Sequence, residues 1–188
     1  MSKDFLRFIR DRVSNNQLVE PAPSHEEWLE ILDAASRAAD HGNLKPWRFK
    51  IFEGEGRRKV GEVYWRHAKS EVEQLSDDKA EVFIKKAFRA PTVLLVYADI
   101  VDHPKVPEFE QLMAVAASAQ QVLLGVEALD YAGIWRTGPA VFTDDAKEQL
   151  GLEPNQQVVG LIYVGTASVQ AKRVEDTGIT ERITFVSE

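Results

Sequence analysis

Three short segments of this chain carry residue types suited to gripping an anion or the edge of a flat polar ring. The first is Arg12-Val13-Ser14. A guanidinium offers a planar fork of donors, and a hydroxyl two residues on adds a fourth bond, so the pair can clamp a phosphate. The same Arg can equally answer the partial negative charge at a helix C-terminus. The second segment runs from Arg37 through Asp40-His41-Gly42-Asn43-Leu44-Lys45 to Pro46-Trp47. Acid, imidazole and amide fall within four residues, ahead of a Pro that forbids helix. The third is Gly133-Ile134-Trp135-Arg136-Thr137-Gly138. Its flanking glycines permit close backbone approach to a flat ligand, and Thr137 adds a polar handle. A Trp in such a place is also ordinary core. Lys172 and Arg173 form a basic pair in a polar arm, readable by themselves as a solvated pair.

Other chemistries find no support. The 188 residues include no cysteine, which removes disulfides, thiolate nucleophiles and Cys-type zinc sites and fits a reducing cytoplasm. The four histidines, at 25, 41, 67 and 103, lack metal-ligand spacing. Gly54-x-Gly56 has no third glycine at dinucleotide-binding spacing, and neither a Walker-A sequence nor a nucleophile elbow occurs. The net charge of −7 disfavours a general nucleic-acid binder, which needs a basic footprint. An anionic small molecule is still accommodated if a few cations converge locally. No apolar run reaches the ~20 residues that span a bilayer, and the charged start does not resemble a signal peptide.

The pattern along the chain supplies the elements that must hold these segments. Phe5, Phe8, Ile9 and Val13 share a helical stripe. Ser24 and Glu27 form a capping-box signature ahead of a helix with Trp28, Ile31, Leu32, Ala35 and Ala39 on one face. A strand is expected from Trp47 to Phe52, and exposed helices over about 57–75 and 77–88. Thr92 to Ile100 is nearly all aliphatic and predicts a central strand. Glu108 to Ala132 reads as one long helix, rich in small residues and ended by Gly133, either central to the domain or part of a subunit interface. A short helix starts at Thr143-Asp144-Asp145, and Val158 to Val164 is another strand. Residues 182–186 alternate like a terminal strand, which needs a sheet edge either in its own chain or in a neighbour's. The class is α+β, in one domain over 1–188, with an arm from about 166 to 188.

Seven segments, in order and spacing, resemble the FMN-dependent nitroreductase family, in its minimal YdjA-type branch. They are Arg12 to Ser14, Glu20 to Pro23, Arg37 to His41, Lys45 to Phe49, Phe88 to Pro91, Gly133 to Gly138 and Val159 to Thr166. The resemblance implies a nitroreductase-like fold with a central mixed sheet flanked by helices. It implies an intertwined homodimer, with FMN at the interface and the C-terminal strand added to the partner's sheet. Arg12, Val13 and Ser14 correspond to the segment that holds phosphate and ribityl chain, Val13 standing where the family has a second Arg. Lys172 and Arg173 are then placed to compensate. Arg37 and His41 correspond to groups reaching across from the partner. Trp135, Arg136 and Thr137 correspond to the segment along the isoalloxazine. The implied activity is ping-pong hydride transfer from NADH or NADPH, through FMN, to a small-molecule nitro, quinone or enone acceptor. The chemistry lies on the cofactor, and His41 is the only candidate proton donor. Other flavin redox chemistry, or a non-catalytic FMN-binding dimer, are the alternatives. No nucleic acid, membrane or metal is implied.

Overall fold

The computed structural model describes residues 2–172 and 177–187. Helix α1 spans Ser2–Asp11, and the two-residue strand β1 is Leu18–Val19. Helix α2, His25–Ala35, opens with the expected capping box: Ser24 Oγ accepts from the Glu27 amide, and the Glu27 carboxylate accepts from the Ser24 amide. Strand β2, Trp47–Glu53, leads into α3, Arg58–Glu71, and the single-turn α4, Ala80–Ile84. Strand β3, Thr92–Asp99, precedes the 21-residue α5, Glu108–Ala128. Strand β4, Ala132–Arg136, the short α6, Asp144–Gln149, and the 12-residue β5, Gln156–Ala167, follow.

Strand β5 is the hub. It pairs with β3 along one edge and with β4 and β1 as well, while β2 continues the sheet beyond β3. Every pairing among the described residues is antiparallel, where a mixed sheet was expected. Alternation along β3 builds three layers. Leu94, Val96 and Ala98 face a core shared with Trp28 and Ile31 of α2 and Val115, Ala119 and Val122 of α5. Val93, Leu95 and Tyr97 face the other core, with Val60 and Val63 of α3 and Ala146 of α6. Each fully buried aliphatic side chain contributes about 1.5–3 kcal/mol through removal from water.

The structure departs from the sequence reading in instructive places. Helix α5 stops at Ala128, four residues before the expected end, because Asp130 adopts a left-handed backbone (φ 63°) that turns the chain. Gly133 is therefore not a helix stop. It lies inside β4, where a Cβ would come within 3.1 Å of the Tyr163 carbonyl and 3.3 Å of Leu123. The segment Gly133–Gly138 is largely strand, since β4 adds to β5. Val13 lies beyond α1 and Ala39 beyond α2. The expected 77–88 helix is broken into α4 flanked by single 3-10 turns. The segment after Arg182 forms no strand in its own chain, and Phe185 is 91% exposed. Apolar side chains also face outward on α5, where Phe109 and Met113 lie four residues apart, and on α1 at Phe5 and Leu6.

Candidate functional site

Strand β4 organises the site because it touches two hollows. At its end, Ile134, Trp135 and Arg136, with Thr137 to Ala140, line a cavity of about 540 Å³. The opposite wall comes from Tyr64, His67 and Ala68 of α3, from Phe83 of α4, and from Lys86 and Arg89 just after it. Tyr163 of β5 completes it. At the start of β4, Ala132 lines a smaller hollow of about 130 Å³ with Asp11, Val13 and Asn15. Two residue steps separate their nearest β4 residues, Ala132 and Ile134, and four separate Ala132 from Arg136, about 7 and 13 Å of extended chain.

Several contacts fix the larger cavity. The indole of Trp135 can pack against β5 because residue 160 is glycine: a Cβ there would sit 2.1 Å from Trp135 Nε1. The Arg136 guanidinium stacks over the Tyr163 ring at 5.4 Å. The Tyr64 and Tyr163 hydroxyls bond to each other at 2.9 Å, joining α3 to β5. Burial pushes both phenols above their ordinary range, while Arg136 and Arg89 pull in the opposite direction. Arg57 donates to the carbonyls of Gly54 and Ala90 and stacks on Phe88, which pins the segment bearing Lys86 and Arg89. Lys86 Nζ rests 4.3 Å above the Phe83 ring.

The phosphate-clamp candidates are held beside β4 by a residue the sequence reading passed over. Asn15 is buried; its amide donates to the Gly133 carbonyl at 3.1 Å, and its side chain donates to the Val169 carbonyl at 2.7 Å. That fastens Arg12, Val13 and Ser14 at the β4 start, with Ser14 exposed and Arg12 half-buried. Lys172 is exposed, and Arg173 lies outside the described residues.

Arg37 and His41 line neither hollow. The connector that carries them is well built: Asp40 accepts from the Lys45 amide at 2.6 Å, and Gly42, Asn43 and Lys45 all have positive φ. His41 Nδ1 meets Glu110 of α5 at 2.6 Å, so its carboxylate neighbour is not the adjacent Asp40. Both Arg37 and His41 point to solvent from a face of this chain separate from its own cavity.

A planar ring that gains negative charge fits the larger cavity. Its walls are largely apolar, its cationic groups have no acidic neighbour among the lining residues, and Arg136 Nε is buried without a hydrogen-bond partner. Tyr64, His67, Lys86, Arg89 and Tyr163 were not singled out from sequence. They come from α3, the α4 region and β5, and only the antiparallel packing around β5 brings them to Trp135–Thr137. Among the described residues, no cluster of three or more His, Asp or Glu could hold a metal, and no helix is long and apolar enough to cross a membrane.

The fold is α+β, with a cavity against the strand beside its central hub, and the comparisons specify its family. Residues 9–166 match the model of the nitroreductase family, and the chain belongs to that family. It is 35% identical over 169 residues to the Escherichia coli (strain K12) protein that carries the provisional name NAD(P)H nitroreductase YdjA, covering 89% of this chain and 91% of that one. A Haemophilus influenzae protein with the same provisional designation is 32% identical over 171 residues, with 90% and 92% covered. The nitroreductase-like family protein from Bacillus cereus superposes with a TM-score of 0.84 at 22% identity, over 97% of this chain and 96% of that one. The FMN-dependent nitroreductase NfnB from Mycobacterium smegmatis, solved with NADPH, gives 0.75 at 17% identity, over 99% of each chain.

Proposed function

We propose that this protein is an FMN-dependent NAD(P)H oxidoreductase of the nitroreductase type. The observation that carries the reading is the continuity of β4 between two hollows, one beside Arg12 and Ser14, the other lined by Trp135, Arg136 and Thr137. The smaller hollow is itself lined by Asp11 and Glu127, so the phosphate end sits against Arg12 and Ser14 beside it, with the ring system at the other end of the ribityl chain. When bound, FMN supplies the redox chemistry, taking hydride from NAD(P)H and passing electrons to a nitro, quinone or enone acceptor in a ping-pong sequence.

The chain's own residues position and tune. Arg12 and Ser14 hold the phosphate end, with Lys172 and Arg173 as supplementary cations for the missing second Arg at Val13. Backbone groups of Trp135 to Thr137 bond the polar ring edge, and Lys86 and Arg136 stabilise negative charge that builds up on it. No side chain is assigned as proton donor, because His41 faces away from the cavity of its own chain.

Arg37 and His41 act on the partner's cofactor in a homodimer. Their exposure supports this, as do the outward apolar residues of α1, α5 and the C-terminal segment, which adds to the partner's sheet. Such a dimer works in the cytoplasm, where reduced nicotinamides are produced.

The test is a visible spectrum after FMN loading and desalting, repeated anaerobically with NADH and with NADPH. A retained band that bleaches is the expected result. Failure to retain flavin overturns the assignments at Arg12, Ser14 and Trp135 to Thr137; a band that does not bleach overturns the oxidoreductase reading.

A further inference from the structure

The cavity holds more positive charge than its proposed cofactor ring uses. Lys86, Arg89 and Arg136 all line it, with His67 beside them and no Asp or Glu among the lining residues. None of the three makes a hydrogen bond or ion pair among the described residues; Lys86 and Arg136 only stack on the rings of Phe83 and Tyr163. Elsewhere on the same flank several basic residues are paired with acids, while Lys59 and Lys85 point to solvent outside the cavity. Arg58 pairs with Glu81, Arg66 with Asp145, and Lys69 with Asp77. In a chain of net charge −7, three unpaired cations converging on one largely apolar hollow is a local arrangement, not a reflection of composition.

Unpaired cations beside apolar walls are a poor environment for a neutral guest and a good one for an anion, because the low-dielectric wall strengthens each attraction. A reduced flavin ring carries at most one negative charge. Lys86 and Arg136, both inside the cavity lining and each stacked on a ring of its wall, suffice for that one charge. Arg89 is exposed at the cavity wall and is left for something else.

We propose, building on the flavoenzyme reading above, that the electron acceptor is an anionic aromatic. It carries a carboxylate or comparable acidic group on a nitro- or quinone-bearing ring, and Arg89 binds that group at the cavity mouth. The ring lies among Phe83, Trp135 and the Tyr64 side, and the charge stays near solvent. In the nitro case the balance is simple. The first two-electron step consumes one NAD(P)H and one proton, converts the nitro group to nitroso with loss of water, and leaves the acidic substituent untouched.

The test compares 4-nitrobenzoate with 4-nitrobenzamide on FMN-loaded protein. The pair is nearly isosteric, and the amide is the more electron-withdrawing substituent, so intrinsic reactivity favours the neutral compound. The expected result is a kcat/KM at least about ten-fold higher for the carboxylate, the scale of one charge-assisted hydrogen bond, and a ratio that shrinks as salt rises toward 1 M. An independent readout is equilibrium binding of the non-reducible pair benzoate and benzamide, followed by the flavin absorbance of the oxidised protein. Benzoate is expected to bind at least ten-fold tighter. Arg89→Gln is expected to lower the nitrobenzoate-to-nitrobenzamide ratio, with Arg89→Lys restoring part of it.

Equal or better use of the amide, with benzoate no tighter than benzamide, overturns the proposal while the flavoenzyme reading stands. An Arg89→Gln effect confined to the KM for NADPH, with the ratio intact, also overturns it and assigns Arg89 to the phosphate of the reductant. No bleaching by NAD(P)H and no turnover of either compound removes both readings together.

Discussion

Gly160→Ala is the sharpest test of how this cavity is built. A methyl at residue 160 would lie 2.1 Å from Trp135 Nε1, 2.7 Å from Trp135 Cδ1 and 3.1 Å from the Arg136 carbonyl. Ordinary contact needs about 3.5 Å, so the indole must retreat by about 1.4 Å. The backbone offers little give, because Trp135 and Arg136 are paired in register with Ile162 and Leu161. Overpacking of this kind costs about 1–3 kcal/mol, and the reduced freedom of the unfolded chain returns about 0.4–1 kcal/mol. The net loss is about 0–2.6 kcal/mol, centred near about 1.3, which for a chain of this size lowers Tm by about 3–5 °C. The assay is reversible thermal or urea unfolding of the metal- and flavin-free protein, with FMN titration as the second readout. Gly56→Ala is the control, since nothing lies within 4 Å of a Cβ there and its expected change is within about ±0.5 kcal/mol. Placing Gly160→Ala on a Trp135→Leu background removes the two closest atoms and leaves only the 3.1 Å approach to the Arg136 carbonyl, so the Ala penalty is expected to fall clearly there. An equal penalty in both backgrounds would refute the argument that residue 160 acts through the indole.

Gly61→Ala meets backbone rather than a side chain: a Cβ would come 2.6 Å from the Ile84 carbonyl, so α4 must lift from α3. A loss of about 1–3 kcal/mol in urea unfolding is expected, together with weaker FMN retention, because Phe83 and Lys86 move with α4. Unaltered stability would mean α4 yields freely. The Tyr64–Tyr163 pair makes stability fall at high pH. Both phenols are raised above 10.0 in the folded state, so their contribution is complete below pH 10 and is lost as pH climbs from there toward the folded values. The double variant Tyr64→Phe/Tyr163→Phe is expected to show a shallower decline between pH 10 and 11 in urea unfolding; an identical slope would contradict this. Gln111 is 1% exposed and bonds the Val101 amide, the Val101 carbonyl and the Val106 carbonyl, so Gln111→Ala should cost about 2–4 kcal/mol by the same assay, and a cost under 1 would show that water takes over its role.

What the sequence discloses about this molecule depends on whether the information is local. The capping box at Ser24 and Glu27 needs only four residues, and it forms as read. The nearly all-aliphatic run Thr92 to Ile100 signals a strand covered on both faces, and β3 is the inner strand between β2 and β5. Arg12, Ser14 and Trp135 to Thr137 were reachable through the motif pattern, and the structure sets them beside one strand. Lys86 and Tyr64 were not reachable that way, and Arg89 and Tyr163, though inside the quoted segments Phe88 to Pro91 and Val159 to Thr166, had no role assigned by them. Their relevance arises from the crossing of α3, the α4 region and β5, contacts up to 99 residues apart in the chain. Asn15 was missed because an Asn after a helix reads as a turn former; its three hydrogen bonds to distant and local backbone appear only once β4 lies alongside. Helix α5 was overextended because Leu129 to Ala132 continue the apolar pattern, and nothing local in Asp130 announces its left-handed turn.

The hub position of β5 has a consequence for how the protein is made. The strand to which β1, β3 and β4 all attach is the last strand to leave the ribosome. Residues Leu18 and Val19 wait for Thr166 and Ala167, and the aliphatic β3 is complete 57 residues before β5 begins. At about 5–20 residues per second, β3 spends roughly 3–11 s with one edge and much of its surface unprotected during synthesis. That run combines β-branched and aliphatic residues with little charge, the composition that self-associates when exposed. The nascent chain is therefore a natural client for ribosome-associated chaperones. Slower translation across Ile100 to Asn155 would lower the soluble yield without altering the finished fold.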